Sequence, residues 1–279
     1  MGTEAAALSR TRTAAIALFA LLALLLTLPG TARASAGLAP PRPAHPERDW
    51  MGSTIRAHEG GRSPNSPPPV AASVEGVDVS SHNGEVPWAT LWKSGVRFAY
   101  TKATEGTGYT NPYFAQQYDG SYDVGMIRGA YHFALPDHSS GAAQANYFVD
   151  HGGGWSGDGR TLPGVLDMEY NPYGSTCYGK SASALVSWMR DFFTTYRERT
   201  GRDAVIYTST TWWRQCTGDN GSFGSVDPLW IPRYGSSPGT LPNGWDFHTF
   251  WQYTDTGPTV GDHDRFNGSM TRLRALADG

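Results

Sequence analysis

From Val74 onward, short runs with strand-like alternation are followed by stretches with helical spacing, and this repeated change of period most constrains the fold. "VEGVDVS" (74–80) reads as a strand, and Pro87 then opens a short helix through "WATLWKS" that stops at Gly95. "VRFAYTKA" (96–103) precedes a helix capped by Asn111 with Pro112 at its first position. "IRGAYHFAL" (127–135) leads into a helix in "SSGAAQANYFVDHG", and "VLDMEY" (165–170) into one from Ser181 to Gly201. "DAVIYTS" (203–209) is the fifth strand. "PLWIPRY" (228–234), "HTFWQYT" (248–254) and a short piece near "DRFNG" (264–268) follow without long helices, up to the terminal "SMTRLRALAD". Five β-α units and three further strands predict an α/β protein, a modified TIM-like barrel whose last strands lack full helices. A doubly wound open sheet is the structural alternative.

The residues before Val74 have a different composition. After Arg10 and Arg12 comes an apolar run from Ala14 to Leu28, 15 residues long, then small residues in "ARA" and "ASA". Residues 1–36 read as a secretory signal, because a spanning helix needs about 20 apolar residues; a lone membrane anchor is the alternative. Residues 37–73 are rich in Pro, Ser and Gly and read as a disordered linker or pro-segment, leaving 74–279 as the barrel domain. With a net charge of -3 nothing points to nucleic acid, and no membrane contact is expected after signal removal. A secreted, extracellular monomer is expected. Export makes a disulfide the natural reading of Cys177 and Cys216, with two free thiols as the alternative.

The "VLDMEY" run ends in two carboxylates one residue apart. Alternate residues on a strand share a side, so Asp167 and Glu169 face one cavity with Met168 opposed. Strand C-termini carry the chemistry of such barrels. Two buried like charges cannot both ionise cheaply, which gives a proton donor beside an anion, the division of labour that glycosidic cleavage requires. Asp78 in "GVDVSSHNG", and Asp262 with Asp264 in "VGDHDRFNG", place further acids on strands one and eight, which adjoin in a closed barrel. A lone D-x-E is as readily a helix cap or ion pair; the convergence is the stronger signal.

Rings surround these acids in sequence: Tyr131, Tyr207, Trp230, Tyr234, Trp251 and Tyr253. Strand aromatics are often core, yet Trp and Tyr at strand ends also offer faces to sugar rings. "GSTCYGKS" (174–181) fits the G-x-x-x-x-G-K-S phosphate-loop pattern, but three residues separate it from the strand and its cysteine, Cys177, is expected to be tied down. The histidines show no H-E-x-x-H and "DHDRFNG" lacks the ligands of a calcium loop, so no metal or cofactor is expected.

"GVDVSSHNG", "YTKATEG", "GAYHFA", "LDMEY", "IYTS", "LWIPRY", "FWQY" and "VGDHDRFNG" occur in the order and spacing of a glycoside hydrolase family 25 lysozyme of the Chalaropsis type, which the chain resembles over nearly all of 74–279. The resemblance implies a barrel of five β-α units and three strands. It also implies hydrolysis of the β-1,4 bond between N-acetylmuramic acid and N-acetylglucosamine in peptidoglycan glycan strands. By motif match Glu169 resembles the general acid and Asp167 the residue that orients the 2-acetamido group. Asp78 and Asp262 resemble the two supporting acids. Lys102, Glu105, Tyr131, Tyr207, Trp230, Tyr234, Trp251, Gln252 and Asp264 match the substrate groove. Retention with the substrate's acetamido as nucleophile is the outcome the resemblance implies. A non-catalytic saccharide-binding module would be expected to lack Asp167 or Glu169, and a chitinase to carry a longer D-x-x-D-x-D-x-E run at the fourth strand.

Overall fold

A computed structural model describes residues 42–61 and 72–279. The expected signal, residues 1–36, lies outside the described residues, as do 37–41 and 62–71 of the expected linker. Among the described residues no helix is long and apolar enough to cross a membrane.

The chain runs α1 (Ile55–Glu59), β1 (Val74–Val79), α2 (Trp88–Lys93), β2 (Phe98–Glu105), the two-residue β3 (Tyr109–Thr110), α3 (Phe114–Asp123), β4 (Ile127–Phe133) and α4 (Gly141–Phe148). It continues through β5 (Val165–Asp167), α5 (Ala182–Thr200), β6 (Val205–Tyr207), α6 (Thr210–Thr217), β7 (Leu229–Pro232), β8 (Phe250–Thr254), β9 (Asp262–Phe266) and α7 (Met270–Asp278). The strands β1, β2, β4, β5, β6, β7 and β8 are parallel neighbours in that order. β9 lies antiparallel to both β8 and β1 and closes the barrel. The open sheet is thereby excluded. The first five barrel strands are each followed by a helix, β7 and β8 are not, and β9 is followed by the terminal α7. α6 is the element that the reading left unnamed.

The barrel is filled from within by rings. Phe98, Tyr100, Tyr207, Trp230, Phe250 and Phe266 are buried in one cluster with Val165 and Val205. Removing each such side chain from water contributes roughly 1.5–3 kcal/mol. Two glycines make room for them: a Cβ at Gly76 would fall 2.2 Å from the Phe98 ring, and one at Gly129 would fall 2.2 Å from the Tyr100 ring. α7 follows β9 and adds Leu273 and Ala277 to this cluster. Because Phe266 pairs with Val74 at the start of β1, α7 covers the barrel end opposite the strand C-termini.

A second core lies outside the strands. Along α5, Leu185, Val186, Trp188, Met189, Phe192, Phe193 and Tyr196 are buried at helical spacing. They pack with Phe148 of α4 and with Leu166 and Met168. The Ser181 side chain accepts from the N–H of Ala184 at the start of α5, and Gly201 ends it at φ 74°. α3 begins two residues later than expected, because Asn111 accepts from the N–H of Tyr113 at 2.9 Å and caps a turn ahead of the helix.

The expectation of disorder for 37–73 is corrected over 42–61. These residues belong to the same compact unit as the barrel. Met51 and Ile55 are buried in its two largest apolar clusters, and backbone donors and acceptors of the segment pair with barrel side chains. Composition misled because Pro, Ser and Gly outnumber the few residues that anchor the stretch.

Candidate active site

Five acids meet at the C-terminal mouth. Asp78 near the end of β1 stands opposite Asp262 at the start of the antiparallel β9, and Asp264, two residues deeper, stands opposite Gly76. Asp167 ends β5, opposite Tyr207. Glu169 lies beyond the strand, although the N–H of Met168 still donates to the carbonyl of Tyr207 at 2.9 Å. That bond extends the alternation, so Met168 enters the outer core while Asp167 and Glu169 both turn inward.

All five carboxyls are buried. Burial raises every one above the ordinary carboxylate range, and mutual repulsion adds to it: Glu169 acts on Asp167, Asp264 on Asp78, and Asp78 on Asp262. Glu169 is pushed up to about 7 by burial, against the opposing pull of donors from Thr54 and Gly52. Neither carboxyl oxygen of Asp167 has a hydrogen-bond partner among the described residues, while Asp264 interacts with Asp78 and with the Trp230 indole.

Gln252 ties the acids together. Its amide N–H groups face Asp78 Oδ2 at 2.8 Å and Asp262 Oδ2 at 3.3 Å, while its Oε1 accepts from the hydroxyls of Tyr207 at 2.8 Å and Tyr234 at 3.1 Å. Lys102 donates to Glu105 at 2.5 Å with both side chains wholly buried. A strict period of two would place residues 102 and 105 on opposite faces. The register shift between Lys102 and Thr104 restores them to one side. Tyr131, opposite Lys102, has its hydroxyl at the mouth.

Two expected groove residues lie elsewhere. Trp251 is directed into the outer core, and its indole N–H donates to the carbonyl of Arg233 at 2.9 Å. Its neighbour Gln252 faces inward, and adjacent strand residues cannot both do so. Trp230 is within the barrel but wholly buried among Tyr100, Tyr207 and Phe250, below the mouth.

The sequence reading missed the loop after β5 and the segment 42–61. The Tyr173 hydroxyl lies between the carboxyls of Glu105, at 2.7 Å, and Asp49, and Tyr178 donates to the backbone carbonyl of Glu169 at 3.1 Å. Tyr178 sits inside the G-x-x-x-x-G-K-S stretch, so that stretch braces the acid. The Cys177–Cys216 disulfide, with Cα atoms 5.3 Å apart, fastens it to α6. Among the described residues no cluster of three ligating side chains is arranged for a metal ion. The missed signal in 42–61 was Trp50, Met51 and Ile55, large apolar residues in a stretch otherwise poor in them.

A closed barrel that holds an adjoining pair of buried carboxyls of raised pKa beside further acids has the equipment of a glycoside hydrolase. Comparison with known proteins places it more narrowly. The profile of glycosyl hydrolases family 25 matches residues 77–262. Lysozyme M1 of Streptomyces globisporus is 46% identical over 266 residues, covering 91% of this chain and 90% of the relative. The N,O-diacetylmuramidase of a Chalaropsis species is 46% identical, covering 74% of this chain and all of the relative. The solved muramidase of Acremonium alcalophilum superposes with a TM-score of 0.73 at 57% identity, covering 74% of this chain and 99% of that one. The chain belongs to family 25 of the glycosyl hydrolases.

Proposed function

We propose that this chain is a secreted lysozyme that hydrolyses the β-1,4 bond between N-acetylmuramic acid and N-acetylglucosamine in peptidoglycan. The pairing of Glu169 with Asp167 at the end of β5 carries the reading, and the lysozyme and muramidase names of the relatives support the substrate. Glu169, whose pKa lies near neutrality, gives its proton to the glycosidic oxygen as the bond from C1 of the muramic acid breaks. The acetamido oxygen of the same sugar bonds to C1 in place of the departing oxygen. Asp167, whose carboxyl has no partner among the described residues, accepts from the acetamido N–H and stabilises the positive charge that develops. Water then attacks C1, breaking the bond to the acetamido oxygen and giving a proton back to Glu169, with net retention. Asp78 and Asp262, fixed by Gln252, set the charge of the opposite wall. The apolar run from Ala14 to Leu28 behind two arginines supports export.

Digestion of purified Gram-positive cell walls, with identification of the new reducing-end sugar, tests the assignment. N-acetylmuramic acid is expected; N-acetylglucosamine at the reducing end, or no release, overturns it.

A further inference from the structure

We propose that residues 42–61 are an inhibitory pro-segment that occupies the substrate cleft and silences the enzyme until it is removed. The inference rests on the assignment of Glu169 as the acid. Three donors from the segment converge on that one carboxylate. The N–H of Gly52 lies 2.7 Å from Oε1, the N–H of Thr54 lies 3.1 Å from Oε2, and the Thr54 hydroxyl also donates to Oε2. These donors pull the Glu169 pKa down against burial and occupy both carboxyl oxygens, so they compete with the protonated form whose O–H must point at a glycosidic oxygen.

The seat is built for this segment over its length. Met51 is wholly buried in the inner cluster; its N–H donates to the Tyr131 hydroxyl at 3.1 Å, and its carbonyl accepts from Gln252 at 2.8 Å. Lys102 donates to the carbonyls of Pro46 and Asp49, and the Asp49 carboxylate accepts from Tyr173. Trp50 stacks on His82 at 4.1 Å, His58 stacks on Tyr170 at 4.0 Å, and Arg56 pairs with Asp255. Side chains expected to hold sugar are thus satisfied by peptide.

Gly52 fits most closely. Its φ is +94°, and a Cβ there would fall 2.5 Å from Gln252 Oε1, 2.7 Å from the Tyr234 hydroxyl and 2.8 Å from the Tyr207 hydroxyl. Only glycine enters this corner without displacing groups that hold the acids. The match to the Streptomyces lysozyme also covers more of this chain than residues 74–279 contribute, so it runs into the region before Val74.

A segment joined to its site through a short linker is present at an effective concentration on the order of 1 mM. An intrinsic affinity of about 100 μM would then leave roughly one chain in ten open, an activity about tenfold below that of the freed domain. The test uses the chain from residue 37 with a specific protease site placed within 62–71. Wall-lysis rates are measured before and after cutting, in this protein and in its Gly52→Val variant. Cutting and removal of the segment are expected to raise the rate about tenfold, and uncut Gly52→Val is expected to be active already. A synthetic peptide of residues 42–61 should bind the cut domain in calorimetry and slow it, and the Gly52→Val peptide should do neither. Equal rates for uncut, cut and Gly52→Val proteins, or no binding of the peptide, overturn the proposal. Peptide binding without wall lysis by any form would sink the lysozyme assignment and leave the seat established.

Discussion

Lys102 and Glu105 form a wholly buried ion pair, 2.5 Å apart, across an irregularity in β2 that brings two positions of opposite parity to the same side. Removing one partner of such a pair strands the other charge away from water, at about 3–5 kcal/mol. Lys102→Met is expected to lower the melting temperature of the whole chain by about 10 °C. Thermal unfolding followed by circular dichroism measures it, and an unchanged midpoint would mean that the pair contributes nothing net.

Glu169→Gln keeps the shape of the acid and deletes its proton. Loss of general acid catalysis is expected to lower kcat by at least about 10²-fold with the melting temperature within a few degrees of the parent. Steady-state turnover on soluble wall fragments decides, and a rate near that of the parent would remove Glu169 from its role.

The pH dependence follows from the same group. Glu169 must carry its proton to act, and burial raises its pKa above the ordinary carboxylate range, so kcat/KM of the cut enzyme should fall as pH rises through the raised value. Glu169 and Asp167 repel each other, so the limb belongs to the pair. Rates that hold constant from pH 6 to about 9 would contradict the assignment.

Asp264 should cost stability. Burial raises its folded pKa well above 3.8. Below that ordinary value both states hold the proton and no difference arises. Above it the unfolded chain ionises while the folded one does not, so stability drains by about 1.4 kcal/mol per pH unit until the folded pKa is reached. Asp264→Asn is expected to gain little at pH 4 and to gain increasingly toward pH 7. A melting series against pH reads the difference, which must vanish in acid if the account is correct.

The Cys177–Cys216 disulfide spans a sequence separation of 39. Chain entropy assigns it about 4 kcal/mol, so replacing both cysteines by serine should lower the melting temperature by about 10 °C. With Tyr178 no longer fastened under Glu169, activity should fall before the fold melts. Activity and unfolding that decline together would deny that bracing role.

The alternation of periods was enough to read the barrel, and spacing was enough to bring Asp167 and Glu169 together, because both depend on local parity that sequence records directly. Trp251 was misplaced because a motif carries no parity of its own, and its neighbour Gln252 already occupied the inward direction. Glu105 joins Lys102 through an irregularity that a period of two conceals. The segment around Met51 was illegible for another reason: its order comes from a cavity assembled by residues more than a hundred positions away, and its own composition favours an unstructured chain.

The antiparallel seam between β1 and β9 joins the beginning of the domain to its end, with Asp78 and Asp262 facing each other across it. A polypeptide still emerging from the ribosome therefore has neither a sealed wall nor a complete set of acids. The set of acids is complete only once the final strand docks, and by then residues 42–61 have long been made.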